Sequence, residues 1–256
     1  MNRIRTPKLG AGRSLLALVA MTMLPVAVPA QDLPPARELV DRYIEAIGGR
    51  DAVLAPTSTR STGQFSMPTA GISGDMELLQ AEPGLTRMRI EIPGFGEVLT
   101  GYDGEVAWQV DPMTGPRVME GLEKAQVTDE AVPESSLRDP AYVESLETVE
   151  RTTLNDVDCY KVKVVWKSGR ESFDCYAVDS GLIVGMELKS TSPMGTMDVT
   201  VLVSDYKEFG GVLMPTRMTQ LTMGQEQVFT ISNVEFNGVD RAVFELPAEI
   251  KVLVNK

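Results

Sequence analysis

Few side chains here are suited to bond-making chemistry, and their spacing favours binding over catalysis. There is no histidine. That removes the commonest general base, the commonest zinc ligand and the usual Ser/His and Cys/His nucleophile pairs. Asp156 and Asp158 stand two apart, as carboxylates of a calcium loop do, but the downstream oxygen ligands are missing and a solvated turn is the better reading. The carboxylates of the Asp129 to Glu134 region form a charged helix or loop face, with nothing to mark two of them as a catalytic pair. No phosphate-cradling glycine loop and no nucleophile elbow is present. We expect no enzymatic activity, no cofactor and no metal.

Two residue types remain informative. Cys159 and Cys175 flank a predicted hairpin, CYKVKVVW and ESFDCYAV around Lys167-Ser168-Gly169-Arg170. A bridge between them would contribute ~3 kcal/mol through loop-closure entropy. Two registers are open. A two-residue turn at Ser168-Gly169 leaves the cysteines three positions out of line, and a five-residue loop from Val165 to Gly169 sets them opposite. A disulfide is the expectation, two buried free thiols the alternative. Methionine is the second signal: residues 31–256 hold 11 of the 14, roughly twice ordinary usage. Met88, Met186, Met197, Met214 and Met218 fall on apolar strand faces. An unbranched, adaptable thioether suits either an irregular core or a cavity that must accept flexible alkyl chains.

The elements that must position these residues follow from periodicity. Ala36, Leu39, Val40, Tyr43, Ile44 and Ile47 fall on one face of a helix that Asp32 can cap and Gly48-Gly49 stops. A turn at Asp51 to Leu54 follows. From about Thr57 the period changes to two. Met88, Ile90 and Ile92 alternate with Arg87, Arg89 and Glu91; Val106, Trp108 and Val110 with Glu105, Ala107 and Gln109; Met197, Val199, Val201 and Val203 with polar or outward partners. Such alternation predicts antiparallel strands with one buried and one wet face. Gly121 to about Leu146 breaks the rhythm, is acidic, carries Pro133 and Pro140, and reads as a short helical insertion. The fold class is therefore mainly β (α+β), with about 11 strands, an N-terminal helix and a helical insertion.

Arg3, Arg5, Lys8 and Arg13 precede an uncharged apolar run from Ser14 to Val28, and Val28-Pro29-Ala30 places small residues where a signal peptidase reads. Residues 1–30 are thus expected to be a secretory signal peptide cleaved after Ala30, and 31–256 a single exported, periplasmic, soluble domain. All 36 acidic residues lie after Ala30 and four of the 24 basic ones before it, so residues 31–256 carry a net charge of −16. A surface of that sign repels nucleic acid and anionic headgroups. Aromatic content of 6% is too low for the girdles of a transmembrane barrel.

The helix ending Ile47-Gly48-Gly49, the segment Gly101-Tyr102-Asp103-Gly104-Glu105-Val106-Ala107-Trp108, the hairpin leading to Val178-Asp179-Ser180-Gly181-Leu182, the run from Asp205 to Pro215 and Phe244-Glu245-Leu246-Pro247 follow one another in an order that resembles outer-membrane lipoprotein-sorting proteins of the LolA/LolB-like superfamily. The resemblance covers nearly all of residues 31–256. It implies a strongly curved antiparallel half-barrel whose hollow is covered by helices and binds lipid acyl chains, with the Gly121–Leu146 insertion as a cover. The expected cavity residues are Met88, Ile90, Ile92, Val106, Trp108, Met186, Leu188, Met197, Val199, Val201, Met214 and Met218. The expected partners are acyl chains of a lipid or lipoprotein and a membrane-bound donor or acceptor protein, with the chain itself a monomer. The alternative is an envelope sensor or interaction module that uses the same fold to bind a basic protein surface without carrying lipid.

Overall fold

A computed structural model describes residues 1, 33–192 and 195–254. The leader and its cleavage site lie outside the described residues. Helix α1 (Ala36–Ala46) and the short α2 (Arg50–Leu54) precede six strands: β1 (Ser58–Met67), β2 (Ile72–Ala81), β3 (Leu85–Ile92), β4 (Gly96–Tyr102), β5 (Ala107–Asp111) and β6 (Gly115–Met119). Helices α3 (Gly121–Ala131) and α4 (Pro133–Ser136) lead to seven more: β7 (Val143–Leu154), β8 (Val157–Trp166), β9 (Glu171–Ala177), β10 (Ile183–Ser192), β11 (Gly195–Phe209), β12 (Val212–Thr222) and β13 (Gln225–Phe236). A 3-10 turn (Arg241–Phe244) and α5 (Ala248–Val254) close the described chain.

All thirteen strands form one sheet in the order β6-β5-β4-β3-β2-β1-β13-β12-β11-β10-β9-β8-β7. The strand count exceeds the expected eleven. The two halves are meanders, and the antiparallel pairing of β1 with β13 joins them at the centre. Curvature follows from connectivity. Helix α3 has 11 residues and packs against β4, β5 and β10. An 11-residue helix is about 16 Å long, whereas β4 and β10, seven places apart in the sheet, would be roughly 34 Å apart if it were flat. The sheet must therefore curl around α3. It is a 13-stranded open half-barrel with helices on its concave side.

Helix α1 buries Leu39, Val40 and Tyr43 and exposes Asp41 and Arg42. Its N-cap is Pro35, in extended geometry and without a side-chain cap; the expected Asp32 cap lies outside the described residues. Gly48 (φ +112°) and Gly49 (φ +89°) end the helix as the sequence predicts. Gly48 has a second reason to lack a side chain. A Cβ there would stand 2.3 Å from the Gly211 carbonyl oxygen, because Leu213 N–H donates to the Ile47 carbonyl at 2.9 Å and draws the β11–β12 turn onto the helix end. The turn expected at Asp51–Leu54 is the helix α2, and the helical insertion ends sooner than predicted, with strand β7 starting at Val143.

The cysteines are bridged, with Cα atoms 5.5 Å apart. Neither expected register holds. Cys159 pairs with Ala177 and Cys175 with Lys161, so the cysteines lie on one face of β8 and β9, diagonally displaced by two residues.

Candidate functional site

Alternation along each strand assigns every side chain to the concave or convex face. On the β7–β11 half, the concave face is filled. Val162, Val164, Trp166, Tyr176, Ile183 and Val203 pack under the apolar face of α1, with Leu137 from the crossover. On the β1–β4 half, together with β12 and β13, the concave face carries a second cluster. Phe65, Met76, Ile90 and Ile231 are buried, while Met67, Ile72, Met88, Ile92, Val98, Phe229 and Val234 around them stay partly exposed. This half is an apolar wall that retains access to solvent. Met218 packs against both clusters and joins the wall to the helix-covered core.

The crossover is fastened at both ends. At the start of α3, Arg117 of β6 pairs with Glu123 at 2.6 Å, and Lys124 donates to the Glu105 carbonyl at 2.6 Å. At its end, Asp129 accepts from Arg170 at 3.0 Å and from the Ser168 hydroxyl at 2.7 Å, both on the β8–β9 turn. Just past α4, Arg138 adopts the left-handed region (φ 52°) and turns its guanidinium into the core. Its Nε donates to Asp174 Oδ2 at 2.6 Å, one η-nitrogen donates to the Ser135 carbonyl at 2.8 Å, and the group lies 5.1 Å from the Trp166 ring centre. Asp174 is fully buried; its Oδ2 also accepts from the Tyr176 hydroxyl at 3.2 Å, while Oδ1 has no hydrogen-bond partner among the described residues. Burial works against the charge on Arg138, but the facing carboxylate outweighs it and holds the guanidinium protonated. Burial raises the Tyr176 and Tyr43 phenols above their ordinary range; their rings meet edge-on at 5.9 Å.

The expected cavity residues separate into groups. Met88, Ile90, Ile92 and Met218 come together on the open wall. Met186 and Val201 pack against the α1 core. Val199 is buried, and by register Val199, Leu188 and Met197 share the concave face with Met186 and Val201. Trp108 lies on the opposite face. Gln109 pairs with Thr100 and Thr100 with Met88, so Trp108, one residue on, points to the convex side, where its ring lies over Gly101. That side has its own small core, Leu79, Ala81 and Leu85 under Phe244. Met214 is half-buried and belongs to neither apolar cluster. Val106 precedes β5, in the turn where Asp103 Oδ1 accepts the Glu105 and Val106 N–H groups at 2.9 and 2.7 Å.

Sequence reasoning missed Phe65, Met67, Ile72, Met76 and Phe229 of the wall. The same period-2 signal runs through Phe65 and Met67 and through Ile72, Gly74 and Met76, but the glycines and polar residues among them dilute it. It also missed Arg138 and Asp174, whose pairing spans 36 residues and leaves no local trace. A cleft of about 350 Å³ opens beside the β8–β9 and β10–β11 hairpins, with Leu122, Arg170, Phe173, Leu188 and Val199 among its lining residues. Among the described residues no group of three or more Cys, Asp or Glu side chains is placed to hold a metal ion, and no helix is long and apolar enough to cross a membrane.

Neither a protein-family model nor a curated protein sequence matches the chain. Solved structures do. A DUF1329 family protein from Desulfovibrio piger superposes with a TM-score of 0.55 at 15% identity, over 83% of this chain and 98% of that one. A LolA superfamily protein from Nitrosomonas europaea gives 0.55 at 14% identity, over 84% and 99%. An outer membrane lipoprotein-sorting protein domain from Vibrio parahaemolyticus gives 0.53 at 11% identity, over 86% and 98%. With its open antiparallel half-barrel, its helices on the concave side and this three-way likeness, the chain has the fold of the LolA superfamily.

Proposed function

We propose that residues 31–256 form one periplasmic domain, released from a leader at residues 1–30, that holds acyl chains of a lipid or lipoprotein in the half-barrel and is not an enzyme. The observation that carries this reading is the apolar wall around the buried Phe65, Met76, Ile90 and Ile231, rimmed by the partly exposed Met67, Met88, Phe229 and Met218. Withdrawing alkyl groups from water contributes about 0.8 kcal/mol each, so one long chain supplies on the order of 10 kcal/mol of gross driving force without directional chemistry. The shared fold with a lipoprotein-sorting domain supports the same reading.

The test is equilibrium binding of a fluorescent fatty acid to purified protein, paired with native mass spectrometry of protein taken from the periplasm. Met88→Asp puts a charge on the wall, and Leu221→Asp, at an exposed position of β12 that pairs with Thr200 on the opposite face, is the control. We expect Met88→Asp to weaken binding by about tenfold or more and Leu221→Asp to leave it near wild type. Absence of binding, a clean unliganded mass and equal effects of the two variants would refute acyl-chain carriage and leave the interaction-module reading.

A further inference from the structure

The antiparallel register gathers four hairpin turns at one end of the sheet: Met67–Ile72, Ile92–Gly96, Asp111–Gly115 and Thr222–Gln225. Thr69 donates to Gln225 across two of them at 3.3 Å, and a Cβ on Gly96 would meet Pro112 at 3.0 Å. In a chain that is 23% charged, these four turns hold one ionisable side chain. That one, Asp111, is folded back onto its own turn, accepting the Met113 and Thr114 N–H groups at 2.8 and 3.1 Å. Apolar side chains stand out into solvent instead: Met113 is 79% exposed, Met223 82% and Phe95 41%. The turns at the other end of these strands carry Glu82, Asp103, Glu105 and Asp240. The β8–β9 turn, with Lys167 and Arg170, shares the apolar end but lies beyond this run of strands.

The geometry points to this rim as a docking surface for a lipid bilayer with electrically neutral headgroups. The apices bear thioethers and a ring, and the charges flanking the Ile92–Gly96 turn, Arg89 with Glu91 and Glu97, are paired with one another. A bilayer interface accepts such apices without shape matching. A net charge of −12 disfavours anionic headgroups. Continuity supplies the second argument. Met67, Ile72 and Ile92, which flank two of these turns, also pack in the apolar wall, so an uncharged path runs from the rim into the hollow. The inference rests on the acyl-carrier reading, since such a path matters for cargo that enters from, or leaves to, a membrane.

The experiment is flotation of purified protein with phosphatidylcholine vesicles, compared for wild type and Met113→Asp/Met223→Asp, with solution binding of a fluorescent fatty acid measured in parallel. Both substitutions sit on exposed apices, and far-UV circular dichroism checks that the fold is kept. The expected result is flotation of wild type, a drop of about tenfold or more in vesicle partition for the double variant, and unchanged fatty-acid affinity. Failure of wild type to float while it still binds fatty acid overturns the docking surface and leaves the carrier reading intact. Equal flotation of both proteins also overturns it. Flotation lost in the variant, in a protein that binds no fatty acid, supports the docking surface and removes the carrier reading.

Discussion

The buried Arg138–Asp174 pair gives the strongest test of how the crossover is held to the sheet. The perturbation is Arg138→Met, which roughly keeps length and apolar bulk while removing the charge. Both side chains are almost wholly out of water, 7% and 0% exposed. Asp174 would then keep only the Tyr176 hydroxyl, since its Oδ1 has no partner among the described residues. Removing one member of such a pair costs about 3–5 kcal/mol, because the remaining charge is stranded in the core. For a domain of this size that is a fall in Tm of about 6–20 °C. A second change, Asp174→Asn, removes the stranded charge while leaving an acceptor for Tyr176. The double variant should recover at least about half of the loss. The assay is urea denaturation of disulfide-intact protein followed by far-UV circular dichroism, with the m-value monitored for departures from two-state behaviour. A loss under about 1 kcal/mol for Arg138→Met, or a double variant no better than the single, would refute the assignment of this pair as a desolvated, mutually dependent contact.

Three further outcomes are expected. Burial raises the Tyr43 and Tyr176 phenols above their ordinary value of 10.0, so their protonated state favours the fold below that pH; the unfolded chain ionises first, and stability falls as pH rises past 10. Denaturation midpoints from pH 8 to 11, with phenolate absorbance, measure this, and a flat profile would contradict it. Reducing the buried Cys159–Cys175 bond frees a loop closed over a sequence separation of 16 and should cost ~3 kcal/mol, read as a lower denaturant midpoint with reductant than without. Gly63→Ala should cost on the order of 3 kcal/mol, because its Cβ would fall 1.7 Å from the Thr230 carbonyl oxygen at the β1–β13 register shift that joins the two halves of the sheet; a near-neutral change in midpoint would mean that the seam is loose.

The residue pattern by itself determined much of the local conformation of this chain. The 3.6-residue spacing of Leu39, Val40, Tyr43 and Ile47 set α1, and the alternation of Met88, Ile90 and Ile92 against Arg87, Arg89 and Glu91 set the two faces of β3. These patterns are legible because they depend on neighbours two to four residues away. Tertiary structure alone decided which face a strand turns inward. Trp108 alternates as cleanly as Met88 does, yet the register carries it to the convex side, where the chain from Arg241 to Phe244 covers a second core and no local signal announces it. Strand pairing also decided the cysteine geometry, one step from the register of a two-residue turn and two from that of a five-residue loop. The Arg138–Asp174 contact exists only because the crossover spans the curled sheet, and periodicity carries no record of a contact made between elements that distant.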